Sequence, residues 1–302
     1  MKTYSFVALC TCLALPVSSG IGLAADENVM ENGIDKSWMP WVDPDNPDVI
    51  VLDPESNKGW RKRRDTSGDP QREAGVINPQ RYSYGVGTHG FPTYYNAPMA
   101  FNSEDLKASG IEIAFFGSAL DAQYLQGAKF AANKMRTLTD VTFWPTAAGT
   151  DPYLRVNYFE NLKIADFGNA AANIAHNQKT LEEIATVIGE IHEGDAIGFS
   201  VGGTHAQMYA WIMALAKEHG PGNFAMFHVD AHYDAQAPSN GIFSHNGAMI
   251  RVGVDMGLIK GEDVVSWGLR SPVPTAEELE WMRENKHRYY TVAQLDTEGY
   301  EA

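Results

Sequence analysis

Short apolar runs alternate with amphipathic stretches along the last two thirds of the chain. The runs Ile111–Gly117, Ala196–Gly203 and Phe224–Asp230 are mainly apolar and end in glycine or polar residues, which is typical of strands buried on both faces. Between them, Asn177–Ile191 carries apolar residues at helical spacing. Strands that alternate with helices predict βαβ units, and therefore an α/β fold with a mostly parallel sheet between two helical layers, a three-layer αβα architecture.

Further elements follow the same alternation. Helices are predicted at Gly127–Arg136, at Ala206–His219 and from Thr275 to about Lys286, and strands at Val264–Leu269 and Tyr289–Leu295. Gly220 supplies the end of the second helix, and Thr275 with Glu278 forms a capping box that opens the third.

Composition limits the class of protein and leaves the predicted fold class unchanged. The 302 residues are 44% hydrophobic and 20% charged, which is an ordinary globular balance. Acidic residues outnumber basic ones by 38 to 23, so the formal net charge is −15. Such a surface repels nucleic acid and anionic lipid, and we expect neither as a partner.

The first residues have the pattern of a targeting segment. Lys2 precedes an apolar stretch from Phe6 to about Pro16, and small residues follow. This pattern predicts a signal peptide over residues 1–25. The protein is then expected to be exported, either to the periplasm or out of the cell, and to have no membrane contact after cleavage. The alternative is an N-terminal membrane anchor. Residues 26–84 form an acidic arm rich in Pro and Asp, and the Gly85–Pro98 stretch is predicted to be a loop.

Candidate chemistry collects where the predicted strands end. Asp230, His232 and Asp234 alternate directly after a buried strand, and alternate residues of an extended chain point to one face. Mixed carboxylate and imidazole ligands suit manganese, iron, zinc or nickel. The alternative is a polar strand end whose His and Asp side chains bond each other. His205 follows Gly202-Gly203 at the previous strand end, and His245 lies in a later loop, where it is either a proton shuttle or a solvent-exposed residue.

These motifs together resemble those of the ureohydrolases, the arginase and agmatinase superfamily, over about residues 85–302. His228-Val229-Asp230-Ala231-His232-Tyr233-Asp234 is similar to the family's Asp-Ala-His-x-Asp signature, and Gly202-Gly203-Thr204-His205-Ala206 to its Gly-Gly-Asp-His-Ser signature. Gly117–Arg136 and Gly247–Arg270 resemble further family segments.

The resemblance implies a site, a reaction and an assembly. His205, Asp230, His232 and Asp234 match the ligands of two Mn2+ ions, with Asp230 bridging them, and His245 matches a proton-shuttling histidine; His228 lies outside the ligand set. The implied reaction is agmatinase-like hydrolysis of a small cationic guanidino substrate to urea and an amine by a metal-activated hydroxide. A homo-oligomer is also implied.

The sequence departs from the family pattern at three places. Thr204 stands where the family has Asp and Ala206 where it has Ser, and no Ser-x-Asp-x-Asp-x-x-Asp-Pro string occurs in the 302 residues. We therefore expect that the last strands of the family domain are missing, that at most about one manganese binds tightly, and that the 302 residues alone release little or no urea. Two alternatives stay open. One is a catalytically inactive exported protein of the same fold with a binding or structural role, and the other is a guanidino acid or formimino substrate.

Overall fold

The computed structural model describes residues 7–8, 12–16, 42–43, 46–50, 72–79, 91–122, 127–142, 150–151, 153–173, 176–238, 245–272 and 274–299. The chain divides into two compact units. One comprises Met1–Asn57, Ala122–Tyr124 and Thr204–Ala302, and is called the site unit below; the other comprises Lys58–Asp121 and Leu125–Gly203.

Strands and helices alternate through the described part of the chain. The strands are β1 Val7–Ala8, β2 Cys12–Pro16, β3 Val42–Asp43, β4 Asn46–Ile50, β5 Ile113–Gly117, β6 Ile164–Asn169, β7 Ile197–Val201, β8 Phe224–Val229, β9 Val264–Leu269 and β10 Arg288–Thr291. The helices are α1 Ser103–Ser109, α2 Ala131–Thr142, α3 Tyr158–Asn161, α4 Asn177–Glu193, α5 Met208–His219, α6 Met249–Asp255, α7 Ala276–Glu284 and α8 Val292–Glu298.

The second unit contains a three-stranded parallel sheet in the order β6-β5-β7. Helix α4 packs against β7, and α2 packs against β5 and β7. The apolar stripe predicted for α4 is buried in full, each side chain being at most 1% exposed: Leu181, Ile184, Val187, Ile188 and Ile191. Burial of each such side chain contributes about 1.5–3 kcal/mol, so this face holds the helix on the sheet.

The site unit contains a five-stranded sheet in the order β1-β2-β8-β9-β10 and a separate hairpin, β3-β4. Strands β8, β9 and β10 run parallel, whereas β1 and β2 are antiparallel to their neighbours. Helix α5 contacts β8 and α6, and it ends at Gly220 as predicted. Parallel strands with helices packed on them confirm the predicted α/β class.

The predicted strand Tyr289–Leu295 is wrong in its second half. The strand ends at Thr291, and α8 begins directly after it. Thr291 Oγ1 accepts a hydrogen bond from the Gln294 N–H at 3.2 Å, and the Thr291 N–H donates to Gln294 Oε1 at 2.9 Å. This capping box starts a helix where the apolar content alone suggested a continuing strand. The sequence pattern also failed to predict β6 and α1.

Most of the N-terminal region lies outside the described residues. Strands β1 and β2 fall within the predicted signal peptide, and β3 and β4 fall within the predicted acidic arm. The signal peptide and the arm stay predictions, because these strands do not test either of them. The described part of the predicted loop, residues 91–98, contains one 3-10 turn, Tyr94–Asn96. None of the described helices is both long enough and apolar enough to cross a bilayer.

Candidate metal centre

Four ionisable side chains of the site unit converge near the carboxyl end of β8. His228 lies on β8 itself, Asp230 directly follows it, and Asp234 comes four residues later. His205 starts the short turn His205–Gln207 that leads into α5. One ligand atom from each of the four lies within 4.8 Å of all the others. Carboxylate oxygens and imidazole nitrogens at this spacing form a donor set that fits a divalent transition metal.

The two histidines of this cluster face the same carboxylate oxygens. His205 Nδ1 lies 2.7 Å from Asp234 Oδ2 and 3.6 Å from Asp230 Oδ2. His228 Nε2 lies 3.4 Å and 3.8 Å from these same two atoms. The two rings stack with their centroids 5.5 Å apart. The side chains are therefore already held in the close arrangement that a shared ion needs.

Asp234 is charged in this setting despite its burial. Burial alone would raise the pKa of its carboxyl group, but the adjacent imidazoles of His205 and His228 outweigh this effect and hold the pKa well below its usual range. An ionised carboxylate is the form that binds a metal ion. Asp234 is consequently ready to act as a ligand at neutral pH.

His232, a predicted ligand, lies outside the four-residue cluster. Its side chain is 62% exposed, and its Nδ1 is 3.2 Å from Asp230 Oδ1. Its backbone N–H also donates to Asp230 Oδ1, at 2.8 Å. Asp230 thus faces His205 and His228 with one oxygen and His232 with the other. The structure brings His205, Asp230 and Asp234 together as predicted and adds the buried His228, while the ligand role of His232 stays a prediction.

His245 is buried, although it lies in a loop. Its Nδ1 accepts a hydrogen bond from the Gly247 N–H at 3.2 Å. Burial lowers the pKa of the ring, while a hydrogen bond with the backbone of Ala237 and the charge of Asp234 act in the opposite direction. The neighbouring Asn246 Oδ1 accepts from the Ala206 N–H at 2.9 Å and so joins this loop to the turn that carries His205.

Backbone geometry fixes where His205 and Asp234 sit. Gly203 has φ +74°, and a Cβ there would lie 2.3 Å from the carbonyl oxygen of Ser118. Only glycine fits this turn, which ends two residues before His205. Asp234 has φ +47°, an uncommon conformation for a residue with a side chain. Its carbonyl oxygen accepts from the Ile250 N–H at 3.1 Å, so α6 holds this conformation in place.

Tyr233 ties the same segment to α7. It is 3% exposed, and its hydroxyl donates to Glu278 Oε2 at 2.8 Å. The same oxygen accepts from the Thr275 N–H at 2.7 Å, as part of the predicted capping box. Burial, assisted by the hydrogen bond and charge of Glu278, raises the pKa of Tyr233 to about 12. Tyr233 therefore stays neutral and keeps its donor proton.

Two residues behind the cluster were not predicted from the sequence. His228 Nδ1 lies 3.0 Å from Ser266 Oγ, and Ser266 Oγ lies 2.8 Å from His287 Nε2. His228 and Ser266 are fully buried, and His287 is 4% exposed. The register of β8 on β9 pairs His228 with Ser266. A serine inside the apolar run Val264–Leu269 is the only trace of this contact in the sequence.

Comparison with known proteins gives consistent results. Over 182 residues the chain is 30% identical to "Guanidino acid hydrolase, mitochondrial" of Homo sapiens, covering 59% of this chain and 49% of that protein. Over 166 residues it is 29% identical to "Agmatinase, mitochondrial" of Gallus gallus, covering 54% and 46%. The chain thus spans about half the length of these curated relatives.

A solved structure shows the same fold. Proclavaminate amidino hydrolase from Streptomyces clavuligerus aligns with a TM-score of 0.57 at 22% identity, covering 70% of this chain and 67% of that one. This similarity supports the predicted three-layer αβα architecture. The Arginase family matches residues 111–302, a span that contains every residue of the candidate site. The chain therefore belongs to the arginase family.

Proposed function

We propose that this chain carries the metal site of an enzyme that hydrolyses a guanidino compound to urea and an amine, with manganese as the metal. The observation that carries the proposal is the convergence of His205, Asp230 and Asp234 near the carboxyl end of β8, within 4.8 Å and together with His228. The names of the relatives, a guanidino acid hydrolase and an agmatinase, support the substrate class.

The donor set fits a hard divalent ion. Two aspartates supply carboxylate oxygens, and Asp234 is ionised despite its burial. His205 supplies an imidazole nitrogen, and His232, beside the second oxygen of Asp230, is the proposed ligand on the other side of that carboxylate. A divalent ion held by these residues would lower the pKa of a bound water and so would supply hydroxide near neutral pH.

His245 is the proposed partner of the substrate's departing nitrogen. Because its Nδ1 accepts the Gly247 N–H, the proton of the neutral ring is on Nε2. Burial lowers the pKa of the ring and favours this neutral form. Nε2–H can donate a hydrogen bond to a leaving amine and so hold that nitrogen in place while it receives a proton.

The substrate is proposed only at the level of its class. A cationic guanidinium suits a chain with a net charge of −15, and the carboxylates of Asp230 and Asp234 are the local negative charges nearest the chemistry. Agmatine and a guanidino acid differ at the far end of the molecule, which is an amine in one and a carboxylate in the other. A formimino compound is the third candidate.

The test measures bound manganese first and urea second. The purified 302-residue chain is loaded with manganese and analysed for metal content. Urea release is then measured with agmatine, a guanidino acid and arginine as substrates. With a formimino compound, the release of ammonia or formamide is measured instead. Asp230→Asn is compared with Asp296→Asn, an exposed aspartate on α8 that serves as the control. Asp230→Asn should lose at least about tenfold in manganese affinity, while the control matches wild type.

Two results would argue against the proposal. Equal metal content in Asp230→Asn and wild type would remove Asp230 from the metal site. If neither this chain nor a version extended through an Asp-x-Asp strand hydrolyses any of these compounds while manganese binds tightly, the alternative of a non-catalytic metal-binding protein with this fold is favoured.

A further inference from the structure

Strand β8, which leads into the candidate metal centre, is paired along both of its edges. On one side it runs parallel to β9. On the other side it pairs antiparallel with β2, in a register that places Cys12 opposite His228 and Pro16 opposite Phe224. β2 in turn pairs antiparallel with β1, so the N-terminal residues add two strands to the sheet beyond β8. β8 is an interior strand of the described sheet because these residues lie beside it.

The sequence of β8 is that of an interior strand. Its six residues, Phe-Ala-Met-Phe-His-Val, include no proline and no Lys, Arg, Asp or Glu. Edge strands usually carry such residues or are very short, because an open row of N–H and C=O groups otherwise pairs with another chain. β8 has neither protection, so its edge needs a strand beside it.

The two outer strands of the same sheet have the protections that β8 lacks. β10 has four residues, begins with the exposed Arg288, and is followed directly by α8. β1 has two residues. Both strands are therefore suited to an open edge. This contrast locates the strand-accepting edge of the sheet at β8.

The segment that covers this edge lies inside the predicted signal peptide. β1 and β2 both fall within residues 1–25, and β2 consists of Cys-Leu-Ala-Leu-Pro, which matches the apolar character of β8. Cleavage after residue 25 would remove both strands at once and leave one side of β8 without its partners. The edge exposed in this way would extend to His228, two residues before Asp230 of the candidate metal centre.

We propose that β8 presents a strand-accepting edge, that residues 12–16 occupy it in the uncleaved chain, and that cleavage of the signal peptide opens it. The signal peptide is thus a removable cover for the strand that leads into the metal centre. Addition of an extended segment to a sheet edge is a general mode of peptide binding, in which main-chain hydrogen bonds supply the affinity. The proposal does not rest on the proposed function, since neither a metal ion nor a substrate enters it.

The first experiment examines the cover in the uncleaved chain. The full 302-residue protein is made by cell-free synthesis, which leaves its N-terminus intact, and amide hydrogen exchange is measured under conditions where light scattering shows a monomer. Leu13→Pro/Leu15→Pro removes two N–H groups of β2, and Leu13→Val/Leu15→Val, which keeps them, is the matched control. In the proline variant, the β8 amides that face β2 should exchange at least about tenfold faster, while the β5 amides of the other unit keep their rates. Unchanged β8 exchange in the proline variant would overturn the proposal.

The second experiment opens the edge in the folded protein. A specific protease site is inserted after Ala25 of the full-length chain, which is folded first and cleaved afterwards. The N-terminal piece should stay bound at high protein concentration and dissociate on dilution, after which β8 exchanges faster. A reduced synthetic peptide of residues 5–18, which spans β1 and β2, should then bind and restore slow exchange in β8. The same peptide with Leu13→Pro and Leu15→Pro should bind at least about tenfold more weakly, because it lacks two hydrogen bonds.

The outcomes are distinct. A cleaved chain that pairs with a second copy, with its β8 amides protected only in the dimer, would also support a strand-accepting edge. A cleaved chain that neither binds the peptide nor self-associates, and whose β8 exchange equals that of the uncleaved chain, would overturn the proposal. Circular dichroism shows whether the cleaved chain stays folded after dilution. If it unfolds, residues 12–16 are a permanent strand and the idea of a removable cover is wrong. Neither experiment uses manganese or a substrate, so both stay decisive if the proposed function fails.

Discussion

Gly203→Ala should destabilise the chain strongly, because two separate costs apply at this position. At φ +74° an L-residue is disfavoured by roughly 1–2 kcal/mol. The added Cβ would also lie 2.3 Å from Ser118 O, a distance that real Cβ contacts essentially never show, and 3.2 Å from Leu120 N. Both neighbours are backbone atoms that cannot turn away, and overpacking of this kind costs about 1–3 kcal/mol more. The expected total is about 2–5 kcal/mol.

Two other glycines separate these costs. Gly257 has nearly the same backbone conformation, φ +71°, but no atom lies within 4 Å of the place that a Cβ would take there, so Gly257→Ala should cost only the roughly 1–2 kcal/mol of backbone strain. Gly189 lies inside α4 and also has open space, and it lacks the positive φ. Gly189→Ala should stabilise the chain by about 0.5–1 kcal/mol, since alanine is the better helix former.

Urea unfolding followed by tryptophan fluorescence and circular dichroism measures the three differences. Manganese titration of the folded variants then shows whether the turn also positions His205, in which case Gly203→Ala alone should weaken binding. Gly203→Ala within about 0.5 kcal/mol of Gly257→Ala would refute the contact with Ser118, since backbone strain would then explain the whole effect.

Three further predictions concern the surroundings of the site. Burial lowers the pKa of His287 to about 3 in the folded chain, and it is about 6.5 in the unfolded chain, so between these values the unfolded state binds one more proton. The free energy of unfolding should therefore fall as the pH drops through this window, and it should fall less steeply in His287→Phe. Urea midpoints measured against pH will show this difference. Parallel pH profiles would contradict the burial of a neutral ring. Tyr233→Phe loses the hydrogen bond to Glu278 and should lower the free energy of unfolding by about 0.5–1.5 kcal/mol in urea titrations; an unchanged midpoint would contradict that contact. Manganese at about 100 times its dissociation constant should add about 2.7 kcal/mol and raise the thermal midpoint, and a chelator should reverse the shift; a midpoint insensitive to both would argue against a metal site in the folded chain.

Much of the fold could be predicted because its strands are short, mainly apolar runs. Val264–Leu269 was predicted with the bounds that the structure shows, and the apolar stripe of α4 lies in the core. The error after Thr291 has a local cause. Apolar residues occur in both strands and helices, and the capping box of Thr291 and Gln294, which distinguishes them here, was not recognised.

The site could be predicted only where its residues follow strands directly. His205, Asp230 and Asp234 were identified in this way, and the structure brings them together. Ser266 and His287 were not, because their link to His228 depends on which residues face each other across β8, β9 and β10, and strand register is not visible in a local pattern. The exposure of His232 was not predicted either, because the chain bends at Ala231 and His232 and so leaves the extended conformation on which the alternation argument relied.

The hydrogen bond between Tyr233 and Glu278 has a dynamic consequence. Glu278 Oε2 serves both the first turn of α7 and the segment that carries Asp234, so transient opening of that turn removes the acceptor of Tyr233 at the same moment. Local unfolding of α7 and loosening of the segment that carries Asp234 are thus one event and not two. An ion that binds only while the segment of Asp234 is in its folded position would suppress this opening. Amide hydrogen exchange in the first turn of α7 would then report whether the site is occupied, without any substrate.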